Sequence, residues 1–164
     1  MPNLLPPIDQ IELTRARYAA LGYTPYSWVR STTPPPFVPL RKPVSASKLT
    51  LIASGGVYVT GQVAFHHKDD LSVRVIDTDT PTSSLRTSHF AYDQSDARAD
   101  PNVVFPKDTL KRLVGVGLLG ALAQRAYTFM GGIYSARKVR ELLAPVLIRR
   151  LQEDQTELAL LVPV

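Results

Sequence analysis

The spacing of apolar positions divides the chain into strands and helices. Leu49-Thr50-Leu51-Ile52-Ala53 is almost continuously apolar, the pattern of a strand covered on both faces. After Ser54-Gly55-Gly56 comes a second extended piece, Val57-Tyr58-Val59, and Ser72-Val73-Arg74-Val75-Ile76 alternates as a half-buried strand does. Leu85-Arg86-Thr87-Ser88-His89-Phe90 predicts another short strand. Residues 93–106 show no periodicity and read as a long loop. Leu110, Leu113 and Val114 form the stripe of a helix with Pro106 as its first residue, Asp108 in its positive first turn, and Gly115 and Gly117 closing it. Leu118-Leu119-Gly120-Ala121-Leu122-Ala123 predicts a returning strand. From Ala136, residues Val139, Leu142, Leu143, Val146, Leu147 and Leu151 share one helical face, and Pro145 predicts a kink or a restart. Glu157-Leu158-Ala159-Leu160-Leu161-Val162 reads as a fully buried parallel strand.

The first 47 residues read differently. Asp9 is placed to cap a helix with Glu12 as its reciprocal partner, Ile8, Ile11 and Tyr18 supply an apolar stripe, and Gly22 ends it. In Thr32-Thr33-Pro34-Pro35-Pro36-Phe37-Val38-Pro39, three consecutive prolines forbid a helix and favour an extended polyproline arm. The expected organisation is an N-terminal helix and Pro-rich arm over 1–47, followed by one globular unit over 48–164. The fold class expected is α/β: an open, mostly parallel sheet with helices on both faces, a Rossmann-like three-layer sandwich, incomplete at its C-terminal end.

Composition narrows the chemistry. The chain has 164 residues, 45% of them hydrophobic and 20% charged, values ordinary for a globular domain. No apolar run reaches the roughly 18–20 residues that span a bilayer, and Met1-Pro2-Asn3-Leu4-Leu5-Pro6-Pro7 is no secretory leader, so the cytoplasm and no membrane are expected. There is no cysteine, which removes disulfides, cysteine-ligated metals and any thiol nucleophile. The histidines, His66, His67 and His89, match no zinc spacing, and no metal site is expected. The net charge is +5, but its basic residues are dispersed where helices would show them to solvent, which argues against nucleic acid. Ser54-Gly55-Gly56 is neither a dinucleotide fingerprint nor a phosphate loop with a lysine, so no cofactor is expected.

Some residues invite a functional reading beside a structural one. His89 ends a strand with Asp93 four residues on, an arrangement suited to a general acid or substrate-orienting pair, or to a histidine held for structure. Gly55 and Gly56 permit a tight turn or the close approach of a ligand. Tyr127, Phe129 and Met130, before Gly131-Gly132, could wall a pocket or pack a core. Arg125 could meet a substrate carboxylate or lie at the surface.

Taken in order, Ser54-Gly55-Gly56-Val57, Ser88-His89, Tyr92-Asp93, Asp100-Pro101-Asn102-Val103-Val104-Phe105-Pro106, Leu110-x-x-Leu113, Gly117-x-x-Gly120, Tyr127-Thr128-Phe129-Met130-Gly131 and the closing Leu160-Leu161-Val162-Pro163-Val164 resemble the selenoprotein B family of glycine, sarcosine, betaine and D-proline reductases. The resemblance spans about residues 48–164. It implies reductive cleavage of a carbon–heteroatom bond by a selenolate or thiolate, a soft nucleophile ionised near neutral pH. It also implies a partner reductase subunit, in amine-cleaving members one carrying a pyruvoyl group, or a thiol or selenol protein, together with self-association. The residues it singles out are His89 and Asp93 as catalytic, and Ser54, Gly55, Gly56, Ser88, Tyr127 and Gly131 around the substrate. The family's nucleophile is expected immediately after Val164, where a selenocysteine codon read as stop would end the chain; by itself the chain is expected to be inert. Ala126 stands where many relatives carry a histidine. The alternative expectation is a non-catalytic structural subunit of a reductase-like complex.

Overall fold

The computed structural model describes residues 9–24 and 29–164, Gln10 by its backbone alone. The chain divides into two compact units, Met1–Phe37 and Val38–Val164.

In the first unit, helix α1 (Gln10–Ala20) is capped by Asp9, whose Oδ1 accepts the N–H groups of Ile11 and Glu12 at 3.0 and 3.1 Å. Glu12 itself pairs with Arg15 at 2.5 Å. The helix closes as its sequence predicts. Gly22 takes a φ of +77°, its N–H reaches the Ala19 carbonyl, and that of Tyr23 reaches Tyr18, with the two tyrosine rings 5.8 Å apart. Ile11 and Tyr18 remain half-exposed. Ile8, the third member of the expected stripe, lies outside the described residues. Residues 32–39 are exposed and form neither helix nor strand.

The second unit is a mixed α/β structure built on a curled, mostly parallel sheet. Strand β1 (Lys48–Ala53) is its axis. After β1 come β2 (Val57–Val59), β3 (Arg74–Asp77), β4 (Leu85–Thr87), α2 (Ser95–Ala99), α3 (Lys107–Gly115), β5 (Ala121–Leu122) and β6 (Arg125–Thr128). The chain then runs through α4 (Ala136–Lys138), a π-helical turn (Val139–Leu143), α5 (Ala144–Glu153) and β7 (Leu158–Val162). On one edge of β1 lies β7, parallel, in register from Leu49 opposite Leu158 to Ala53 opposite Val162. On the other edge β5 pairs with the start of β1 and β6 with its end, both parallel. Outside β6 lies β3, antiparallel. β2 and β4 form a separate antiparallel ribbon.

Alternation along β1 sends Leu51 and Ala53 to one face and Ile52 to the other. Leu51, Ala53, Ile76 and Ala126 pack with Phe105 and α3's Leu110; Ile52 and Tyr127 pack with Leu143 and α5's Leu147. Gly117 closes α3 as expected, at φ +75°. Pro145 also acts as expected. With no N–H to give the preceding turn, the helix widens into the π-helical turn and restarts as α5.

Three expectations are corrected. The stretch 93–106 is not a plain loop, since it holds α2 and a 3-10 turn at Pro101–Val103. The returning strand is short (β5), and a second strand, β6, follows that its mixed sequence Arg-Ala-Tyr-Thr conceals. β7 is parallel but not fully buried. Among the described residues it pairs only with β1, and it exposes Ala159 and Leu161, the latter at 65%. Continuous apolarity marks a strand as hydrophobic without saying whether it lies at the centre or the edge.

Candidate functional site

Parallel strands deliver their C-terminal ends to the same side of a sheet, and there the connecting loops form a crevice. Here β1 and β7 end together. The Ser54 N–H donates to the Val162 carbonyl at 3.0 Å, and the Val164 N–H donates to Ser54 Oγ at 2.9 Å. Gly55 forms an isolated antiparallel bridge with Met130, beyond β6. A Cβ on Gly55 would stand 3.0 Å from Val104 and 3.3 Å from Val164. The Gly131 N–H donates to the Ser54 carbonyl at 2.8 Å, and a Cβ on Gly131 would press on the Ser54 side chain. The turn is therefore built tightly from small residues.

Gly56 has φ +67°, and a Cβ there would collide with the Ser88 carbonyl. The contact is reciprocal, because the Ser88 N–H donates to the Gly56 carbonyl at 2.9 Å. Ser88 Oγ donates to the Phe65 carbonyl at 3.1 Å. The next residue, His89, is buried, 8% exposed, with Phe90 stacked at 5.7 Å and Tyr92 at 4.9 Å between ring centres. Tyr92 in turn donates its hydroxyl to the Gly55 carbonyl at 2.9 Å. Burial holds the His89 pKa below its ordinary value and raises that of Tyr92.

Of the residues singled out from sequence, Ser54, Gly55, Gly56, Ser88, His89 and Gly131 thus gather at the ends of β1 and β7. Two do not join them. Asp93 does not bond to His89; its exposed carboxylate accepts from the Ser95 N–H at 2.9 Å and hydroxyl at 2.7 Å, which holds its pKa below the usual value. The expected pair is not made, because an aspartate two residues before a serine satisfies that serine's backbone more readily. Tyr127 packs in the core on the α5 face, with its hydroxyl on Asp154 and the Arg150 guanidinium over its ring. Burial and the Asp154 carboxylate push the Tyr127 phenol up to about 12. Arg125 completes that cluster by pairing with Asp154.

Asn102 anchors a second polar cluster. Its Nδ2 donates to Asp108 Oδ2 at 2.9 Å, and its Oδ1 accepts the Asp108 N–H at 3.1 Å. Thr82 and the buried Lys107 ammonium also donate to Asp108, at 2.5 and 2.6 Å. Burial works against the Asp108 charge, yet these donors hold the carboxyl well below the usual carboxylate range.

Sequence reasoning missed Gln94, whose amide nitrogen donates to the His89 carbonyl. No periodicity or motif marks it.

Fold and site together define an α/β protein in which a serine–glycine–glycine turn, a buried histidine and the end of an apolar parallel strand meet at the strand ends. Residues 35–163 match the family described as glycine/sarcosine/betaine reductase selenoprotein B, and the chain belongs to that family. It is 32% identical over 134 residues, 82% of its length, to the D-proline reductase subunit gamma of Acetoanaerobium sticklandii. It spans 55% of that relative's length. No solved structure matches it. No helix among the described residues is long and apolar enough to cross a membrane.

Proposed function

We propose that this protein is a subunit of a reductase that cleaves a carbon–heteroatom bond, of the C–N type, at the ends of β1 and β7. The observation that carries the reading is the Val164–Ser54 hydrogen bond, which holds the end of β7 against the turn where Gly55, Gly56 and His89 meet. Membership of the reductase family supports it. In this reading a selenolate or thiolate forms a bond to the substrate carbon, and the C–N bond breaks with its electron pair and a proton going to nitrogen. A second thiolate then attacks the chalcogen of the adduct. The carbon leaves with the bonding pair and takes a proton, and the two chalcogens end oxidised as a bonded pair. The chain contains no cysteine, so the nucleophile comes from outside these 164 residues, next to Val164. Ser54, Gly55, Gly56, Ser88 and Gly131 shape the substrate space, and His89 orients the substrate. The partner is another reductase subunit or a thiol or selenol protein. We include in this proposal the Rossmann-like three-layer description, which α3 and α5 on opposite faces support, the division near residue 47, and a cytoplasmic setting.

The test is a cysteine added after Val164, its alkylation by iodoacetamide compared with that of free cysteine at neutral pH. Faster labelling, lost when Gly56 or His89 is replaced, is expected; labelling no faster than the free thiol overturns the reading. The absence of any cysteine also favours a second reading, a non-catalytic structural subunit. That reading expects stable association with a partner subunit whose turnover is unchanged by His89→Phe.

A further inference from the structure

The edge strand of a sheet presents a row of unpaired N–H and C=O groups, and native proteins blunt such edges with charges, prolines or bulges. From Leu158 to Val162, β7 carries none of these. It is wholly apolar, and its register against β1 runs without a break. Among the described residues its other edge has no strand beside it.

The direction of the free groups follows from the pairing. The Val162 carbonyl accepts the Ser54 N–H at 3.0 Å and so points toward β1. Backbone groups alternate sides along a strand. Leu158 and Leu160 therefore also turn toward β1, and Ala159 and Leu161 turn their N–H and C=O groups outward. Side chains alternate between the two faces as well. Leu161 lies opposite Ile52 in the parallel register, so it shares the face on which Ile52 packs against Leu143 and Leu147. The helical layer on that face stops short of β7. Ala159 and Leu161 are exposed, and so are Leu142 and Ile148 of the layer itself.

We propose that this edge joins two copies of the chain, β7 of one pairing antiparallel with β7 of the other about a twofold axis at Leu160. The occupant is a second copy because the strand complements itself. With Leu160 opposite Leu160 of the second copy, Ala159 faces Leu161 and Leu158 faces Val162. Ala159 and Leu161 are the residues whose peptide groups point outward, and each such pair exchanges two hydrogen bonds. Both pairs together leave none of those groups unmet. No charge opposes another along the seam, and the small Ala159 makes room for Leu161. A twofold axis perpendicular to the sheet keeps each copy's helical layer on the same face. Leu142 and Ile148 of both copies therefore lie on the side of the seam where Leu161 is bare. The same patch serves both copies, as a closed twofold interface requires, and the two Val164 ends point in opposite directions.

The experiment is sedimentation equilibrium of the full chain over a concentration series, followed by cysteine crosslinking. The expected mass tends to twice 18.1 kDa as concentration rises. Leu161→Lys sets a charge into the seam while leaving the separate chain's core untouched, and should raise the dissociation constant by roughly tenfold or more. The chain has no cysteine of its own, so a single introduced thiol reports one position. Residues directly opposite in a non-hydrogen-bonded antiparallel pair have Cα atoms about 4.5 Å apart, within the reach of a disulfide. Leu160→Cys should therefore oxidise to a covalent dimer faster than Leu161→Cys, although Leu161 is the more exposed of the two. Should Leu160→Cys fail to fold, the masses of the unsubstituted chain and of Leu161→Lys decide. A monomer at every concentration, with the edge left to a strand of a different chain, overturns the proposal. So does a dimer that Leu161→Lys leaves intact, or faster crosslinking at 161 than at 160. Mass and crosslinking require no nucleophile and no turnover, so the dimer can fail while the reductase reading stands, and the reverse.

Discussion

The Val164 amide donates to the Ser54 hydroxyl at 2.9 Å, joining the end of β7 to the end of β1 across 110 positions of sequence. The same hydroxyl lies 3.4 Å from the Val162 carbonyl. One small side chain therefore sets the direction in which the backbone leaves the sheet. Ser54→Ala removes that restraint. The expected cost is about 1 kcal/mol, the net worth of an ordinary hydrogen bond, read as a lower urea midpoint with an unchanged slope. Hydrogen exchange should quicken at Val164 and stay unchanged in β3. Equal acceleration across the sheet would show that Ser54 supports the fold as a whole and not the strand end.

Two glycines with positive φ separate close packing from backbone conformation. Gly56, at +67°, has no room for a Cβ beneath the Ser88 carbonyl; Gly61, at +96°, has nothing within 4 Å. Gly61→Ala should cost about 1–2 kcal/mol from backbone strain alone. Gly56→Ala carries the same strain plus the collision and should cost about 3 kcal/mol or more. Thermal unfolding of the two variants measures the difference, and equal losses would mean that the 88–89 backbone yields without penalty.

Asp108 couples stability to acid. Its folded pKa lies below the value of 3.8 for an unperturbed aspartate. The unfolded chain therefore takes up a proton first as pH falls. The stabilisation is complete above about pH 4 to 5 and drains away as pH drops toward the folded pKa. Asp108→Asn should abolish that part of the acid dependence. It should also destabilise at neutral pH by about 1–3 kcal/mol, by leaving the buried Lys107 ammonium unpaired; the figure is reduced because the Asp108 side chain is 36% exposed. Urea midpoints for both proteins from pH 3 to pH 7 should converge at the acid end.

Gln155 ends α5 in a conformation that suits glycine. Its φ is +52°, its N–H reaches the Gln152 carbonyl and that of Thr156 reaches Leu151, the same closure made by Gly22 and Gly117. Gln155→Gly should therefore raise stability, by about 0.5–1 kcal/mol, because relief of the left-handed strain exceeds the added entropy of the unfolded chain. A drop in melting temperature would contradict this.

Read from residues alone, the chain declared α1, α3, α5 and its central strand, since these rest on local rules, and the order of its motifs declared its family. Asp9 capping α1, Gly22 and Gly117 closing helices, Pro145 forcing a restart and the apolar run of β1 each act within a few residues. The site's glycines were legible for the same reason, as small residues placed directly after a buried strand. What lay beyond that reading depends on partners distant in sequence. Tertiary pairing made Arg125–Thr128 a strand, because β1 and β3 offer it hydrogen-bonding edges. It put β7 at an edge, and it sent the Tyr127 hydroxyl to Asp154. It also set the Ser88 N–H on the Gly56 carbonyl and the Tyr92 hydroxyl on the Gly55 carbonyl. A side chain's periodicity states which face it occupies, whereas its hydrogen-bond partner is chosen only when the sheet brings remote segments within about 3 Å of one another.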